Sequence, residues 1–209
     1  MAAPKKTAQG DPTAPSPREA ILSAAIDAIT HHGESAVRIT DVAHTAGVTQ
    51  GMVSYYFKDR EGLIAEAHLV IFERGITQDS GHLMLAVETA ETPEDFQTVL
   101  KKLNREIVSS QRAVNRVSRT VVLGSALNRP DLLVRVNALQ EKLIDDLEMV
   151  ATRAQQKGLF RTDISPRAIG AFVTSYALGL IVADLDTHRP SDEDLAIVVD
   201  LVMMSFRPQ

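Results

Sequence analysis

The chain has no cysteine and no tryptophan among its 209 residues. Without cysteine it can form neither disulfides nor thiolate zinc sites, which fits a reducing cytoplasm as its expected location. The N-terminus shows no apolar leader. Long apolar runs are missing too. The longest, Ala171 to Leu185, is interrupted by Thr174, Ser175, Tyr176 and Asp184, and falls short of the roughly 20 residues that span a bilayer, so no membrane partner is expected. The sequence has no glycine-rich phosphate loop, no Gly-x-Ser-x-Gly elbow, no His-Glu-x-x-His and no paired Glu-x-x-His. The expectation is therefore a protein that is not an enzyme and carries no cofactor. Asp184, Asp186 and His188 lie close in sequence, but at a helix end, and are not read as a metal site.

What the chain does have is helical periodicity, with no strand pattern and no internal repeat. At 44% apolar composition it can bury a core. Residues 1–17, with Pro4, Gly10, Pro12, Pro15 and Pro17, read as a disordered tail, in which Lys5 and Lys6 could touch a phosphate. A first helix spans 18–32 and stops at Gly33, with His31 and His32 at its negative end. Further helices are expected from Asp59 to about Val87, from Pro93 behind the cap Thr92, and near 112–127 with Val114, Val117 and Val121 in line. Others run from Pro130 to Gly158, over 166–186 behind Ser165, and over 191–206. The last is apolar nearly all round (Leu195, Ile197, Val198, Val199, Leu201, Val202, Met203, Phe206). A terminal helix with two apolar faces needs cover that one subunit does not supply.

Between Ile39 and Phe57 two short amphipathic helices flank Gly47, the signature of a helix-turn-helix whose second helix lies in the DNA major groove. The charge balance gives no broad basic footprint: the whole chain is −5, and from Arg18 to Val70 four cations face seven carboxylates. Any grip on DNA must be local. On a helical wheel Val53 and Phe57 turn inward together with Val48, which leaves Gln50, Gly51, Met52, Ser54 and Tyr55 facing outward. Gln50 can bond adenine, Met52 can touch a thymine methyl, and Gly51 lets the backbone approach. Arg38, Thr40, Thr49, Tyr56, Lys58 and Arg60 flank this face as candidate phosphate and helix-end contacts. For Tyr56 packing, and for Arg60 a surface ion pair with Asp59 or Glu61, are the alternatives.

From Arg18 to Leu63 the sequence resembles the TetR-type (TetR/AcrR) transcriptional regulators. The agreement runs through Ile21-Leu22, Ala24-Ala25, Gly33, Val42-Ala43, Ala46-Gly47-Val48-Thr49, Gly51, Tyr56-Phe57 and Leu63. Three positions depart from the family pattern. Ser54 stands where Tyr is usual and Arg60 where Lys is common. Arg38 stands where Ser or Thr often caps the second helix, so that the cap is expected to move to Thr40.

The resemblance implies an all-α chain of about nine helices. Residues 18–64 would form a three-helix DNA-binding domain, and 65–209 a larger effector-binding and dimerisation domain. The implied partners are a double-stranded operator, a second copy of the chain and a small-molecule effector. A four-helix dimer interface would draw on Phe172, Val173, Leu180, Leu195, Val198, Val199 and Val202. An effector pocket would be lined by Leu100, Leu103, Ile107, Val117, Val121, Leu143, Leu147 and Tyr176, with Asn104 and Arg119 as polar anchors, and so would suit an apolar or amphipathic ligand. Repressor is the leading reading. Activator, and a helical adaptor that does not bind DNA, stand as alternatives.

Overall fold

A computed structural model describes residues 15–208, the side chains of 77–82 excepted. Among these residues there are helices and no strands, ten α-helices in all. They form two compact units that divide between His68 and Leu69, inside the long fourth helix and not at residue 64.

The first unit opens with α1, Pro17–His32. Ser16 caps it in a reciprocal box with Glu19, and proline takes the first turn. Ser16 and Pro17 thus belong to this helix and not to a tail; the rest of the expected tail, 1–14, lies outside the described residues. A short 3₁₀ turn, Glu34–Ala36, leads into α2, Ile39–Thr45, then α3, Gln50–Phe57, and the start of α4, Arg60–Thr89. Gly47 supplies the positive φ of 68° that lets the Val48 N–H reach back to the Ala43 carbonyl, which closes α2 and turns the chain into α3. The core is Ile21, Ala25 and Ile29 against Val37, Val42, Val53, Phe57, Leu63 and Ile64, all buried. The cap expected at Thr40 is not made. Arg38 holds the N-cap position with no side-chain bond, and the Thr40 hydroxyl donates instead to Asp41.

The second unit holds the rest of α4 with α5 (Pro93–Val108), α6 (Ala113–Ala126) and α7 (Pro130–Gln156). It ends with α8 (Pro166–Gly179), α9 (Ile181–Asp184) and α10 (Asp192–Met204). Where one helix was expected over 166–186, a turn at Leu180 separates α8 from α9. The run Pro166–Asp184 is long and apolar enough by composition to cross a membrane. Its α8 part packs tightly on α7: a β-carbon at Gly170 would stand 3.1 Å from both the Ile144 carbonyl and Leu147 Cβ. The small residue is what permits that approach. Around it gather Phe96, Leu100, Val150, Ala154, Phe160 and Ile169, with Phe96 and Phe160 meeting edge-on at 5.4 Å. Lys157 ends α4 by donating to the Val87, Glu88 and Ala90 carbonyls at 2.8–3.0 Å.

Helix α6 reverses its expected orientation. Arg116 and Arg119 are buried, whereas Val114, Val117 and Val121 lie at the surface, the last two 43% and 48% exposed. Arg116 can go inward because its charge is met there. Arg116 binds Asp184 and the Ile107 and Ser109 carbonyls, and Arg119 lies over the Phe72 ring beside Gly75.

Candidate functional site

Helix α3 presents the first site. Thr49 caps it, its hydroxyl accepting the Met52 N–H, so the helix begins one residue before Gly51. Val53 and Phe57 are buried, as the wheel requires, and Val48 is half-buried. Gln50, Gly51, Ser54, Tyr55 and Tyr56 are exposed, Tyr55 by 83%, and Met52 is half-buried. Tyr55 and Tyr56 pack edge to face, ring centroids 5.1 Å apart. That contact presets two large, stiff side chains at the exposed end of the helix.

Past α3 the backbone makes an unusual turn. Lys58 has φ 69° and ψ −62°, and the Asp59 N–H donates to the Phe57 carbonyl at 2.8 Å. Together these define the rare, strained kind of γ-turn, centred on a residue with a side chain. Two neighbours hold it. Asp59 accepts the Gly62 N–H at 2.8 Å, and a β-carbon at residue 62 would overlap the Phe57 carbonyl oxygen. Sequence reasoning missed Gly62. The available signal was a glycine inside a helical pattern, where it costs about 1 kcal/mol against alanine and so demands a packing reason.

The three cations expected at the flanks separate into two kinds. Arg38 and Lys58 are exposed and make no ion pair among the described residues. Arg60 is turned into the unit. Its Nε donates to the Val37 carbonyl at 2.8 Å, one terminal nitrogen to the Glu34 carbonyl at 2.9 Å, and the other to Glu61 at 2.7 Å. It ties the 3₁₀ turn to α4, the task of a structural clamp. Four of the seven carboxylates of this stretch are engaged as well: Glu66 with Arg18, Glu61 with Arg60, Glu34 with the buried His68, and Asp59 at the Gly62 amide.

In the second unit a cavity of about 40 Å³ lies between α5, α7, α8 and α10. Leu100, Leu103, Asn104, Ile107 and Leu147 line it as the sequence suggested, joined by Phe96, Phe160, Ile169, Val173 and Met203, which were not foreseen there. Val117 and Val121 are on the surface, Leu143 is buried elsewhere, and Arg119 belongs to the Phe72 contact. Tyr176 faces a second, open groove of about 540 Å³ along α8, α9 and α10. That groove is lined by Phe172, Leu180, Leu195, Val198, Val199 and Val202. Val173, placed with them by sequence, points instead into the closed cavity, because α8 divides its apolar residues between two sides. Asp184 is bound to Arg116 and Arg189, and among the described residues no cluster of His, Asp and Glu is arranged to hold a metal ion.

Residues 21–67 match the family model described as bacterial regulatory proteins, tetR family. Over 200 residues, covering 90% of this chain and 89% of the relative, the sequence is 21% identical to the HTH-type transcriptional regulator AcrR of Shigella flexneri. A 47-residue stretch, 22% of this chain and 24% of the relative, is 40% identical to the HTH-type transcriptional regulator BetI of Klebsiella pneumoniae. A crystal structure from Rhodococcus sp., assigned to the TetR-family transcriptional regulators, superposes with a TM-score of 0.68 at 23% identity, covering 92% of this chain and 98% of that one. That likeness speaks to the fold.

Proposed function

Starting from a chain that belongs to the TetR-type transcriptional regulators, we propose a homodimeric repressor that a small molecule releases from a palindromic operator. The observation that carries this reading is the bare outer face of α3. Gln50, Gly51, Ser54 and Tyr55 are exposed side by side on a helix whose opposite face is locked by Val53 and Phe57. Gln50 at the first turn suits adenine N6 and N7, Met52 a thymine methyl, and Gly51 the closest backbone approach. Arg38 and Lys58 grip phosphates on either side, with Thr40, Tyr56 and the capped start of α3 beside them.

Dimerisation is supported by the open apolar groove of α8, α9 and α10, and by Ile197, Val198 and Leu201, which stay exposed on α10. A patch of this kind calls for a partner, and two copies of the same helix pair can cover each other. Two heads so joined read a two-fold site when their recognition helices lie about 34–36 Å apart. A ligand in the closed cavity that favours another spacing lowers operator affinity by the amount of that preference and no more.

Selection of bound duplexes from a random pool tests the reading. A recovered palindrome with half-sites one helical turn apart is expected. An unpaired half-site would overturn the dimer, and no motif at all would overturn sequence-specific DNA binding.

A further inference from the structure

The walls of the closed cavity carry more chemistry than its size suggests. Among the described side chains that line it, Asn104 alone is polar and none is charged. An ion placed there would lose its water with no countercharge to replace it. Asn104 is itself buried, and its orientation is fixed from outside. Its amide nitrogen donates to the Asp200 carboxylate at 2.8 Å, and because a carboxylate only accepts, the amide cannot be flipped. The amide oxygen is thereby left with one partner, the Tyr176 hydroxyl at 3.4 Å, well beyond the usual 2.5–3.0 Å for an O–H···O bond. An acceptor with unused capacity thus sits in the wall of an apolar chamber.

A second, smaller cavity of about 10 Å³ adjoins the first at the seam of α5 and α10. The two share Leu100, Asn104 and Met203, and the outer one adds Gln97, Lys101, Asp200 and Met204. Among the described residues these three side chains face both the apolar chamber and the outer dimple. Met203 is the unbranched, easily re-packed member of the three.

Resting on the effector reading above, we infer that the chamber takes an uncharged molecule with an apolar body and a hydrogen-bond donor at one end. The molecule passes between α5 and α10 by displacing Met203, and its donor is held by the Asn104 amide oxygen. At about 40 Å³ the chamber is far below the roughly 300 Å³ at which ligand pockets begin, so the incoming body must open it. The opening falls on α10, the helix that also faces the outer groove.

Titration of the full chain, without DNA, followed by the methionine methyl resonances, tests the site with four probes of one body: hexan-1-ol, 1-methoxyhexane, hexanoate and hexylammonium. Hexan-1-ol should shift the Met203 methyl and bind about five-fold tighter than the ether, the worth of one neutral hydrogen bond. Both ions should bind at least about ten-fold more weakly than the alcohol. Asn104→Leu should erase the preference for alcohol over ether. An ion that binds as well as the alcohol, an ether that matches it in the unsubstituted chain, a Met203 signal that stays still, or no binding by any probe would each overturn the inference. Operator affinity is measured separately. Alcohol bound at Met203 with unchanged operator affinity would sink the effector reading and leave the site standing. Release by hexanoate with Met203 unmoved would do the reverse.

Discussion

Arg116 on α6 grips Asp184 at the end of α9 with two parallel bonds, 2.5 and 2.8 Å long, and the two side chains are only 5% and 4% exposed. Arg189 adds a third bond at 3.2 Å. Its other nitrogens reach Asp192 at 2.6 Å and the Val108 carbonyl at 2.8 Å. One alternating chain of charges thus joins the end of α5 to α6, α9 and the start of α10.

Removing Arg116 should therefore unfold the second unit more readily. Arg116→Leu leaves the Asp184 carboxylate buried with one of its three bonds, and a loss of about 3–5 kcal/mol is expected for breaking a buried pair from one side. The bonds from Arg116 hold the Asp184 carboxyl below its ordinary value of 3.8. A carboxyl lowered by folding contributes stability that is present above the unfolded value and is lost as pH falls through the folded one. Urea unfolding should show a large gap between parent and variant at pH 7 that narrows below about pH 3.8. A gap independent of pH would remove Asp184 as its source.

Gly62→Ala sets propensity against packing. By helix propensity alone alanine gains about 1 kcal/mol. The overlap with the Phe57 carbonyl predicts the opposite, since that oxygen is fixed by the γ-turn at Lys58. The variant should be less stable by about 1–3 kcal/mol, the range for a backbone forced to rearrange, and should bind DNA more weakly. Lys58→Gly should relieve strain and raise the melting temperature while weakening DNA binding. Thermal melts paired with binding titrations check both directions, and a stabilised Gly62→Ala would show that the turn yields at no cost.

Much of this architecture is legible in the sequence because its signals are local. Thr92-Pro93, Ser165-Pro166 and Gly47 mark helix ends by bonds within one turn, and all three stand where the structure caps or turns the chain. The inward pair Val53 and Phe57 follows from period alone. What the sequence hides is which of two apolar faces meets the core. Val117 and Val121 have the spacing of a buried stripe, yet the face beside them goes inward because Arg116 finds Asp184 from 68 residues away. Arg60 is a similar case. Its role turns on the Glu34 and Val37 carbonyls, and backbone groups carry no sequence signal.

That clamp separates Arg60 from its neighbours in a salt titration. Arg38→Ala and Lys58→Ala should each reduce the slope of log affinity against log salt by about 1, the mark of a lost phosphate contact. Arg60→Ala should cost stability, leaving the Val37 carbonyl without a donor at about 1–3 kcal/mol, and leave the slope unchanged while the protein stays folded. Arg60→Lys should recover only part of the stability, because an ammonium cannot match the fork that spans both carbonyls. A slope that falls by a full unit in Arg60→Ala would return this residue to the phosphate set.

On the proposed dimer the outer groove would bear on how DNA is read as much as on assembly. Val198 and Val202 lie one helical turn apart on α10, and both line the groove with Leu195 of the same helix and with Phe172 of α8 across from them. A single carboxylate there, Val198→Asp, would have to be buried unpaired in both subunits of a two-fold contact, so its cost is counted twice. The same substitution leaves the monomer's own core untouched, since Val198 is exposed in it and only Ala196 and Met203 of α10 are buried. Light scattering should therefore give a folded monomer at micromolar concentration. Its helical content should be that of the parent, because no buried side chain of the chain itself has been changed. Each half-site contact on DNA should survive, but the gain from linking two heads should vanish, a loss of about 10²–10⁴ in operator affinity. A monomer that keeps full operator affinity would separate DNA recognition from dimerisation, and a dimer that persists would place the contact on another surface.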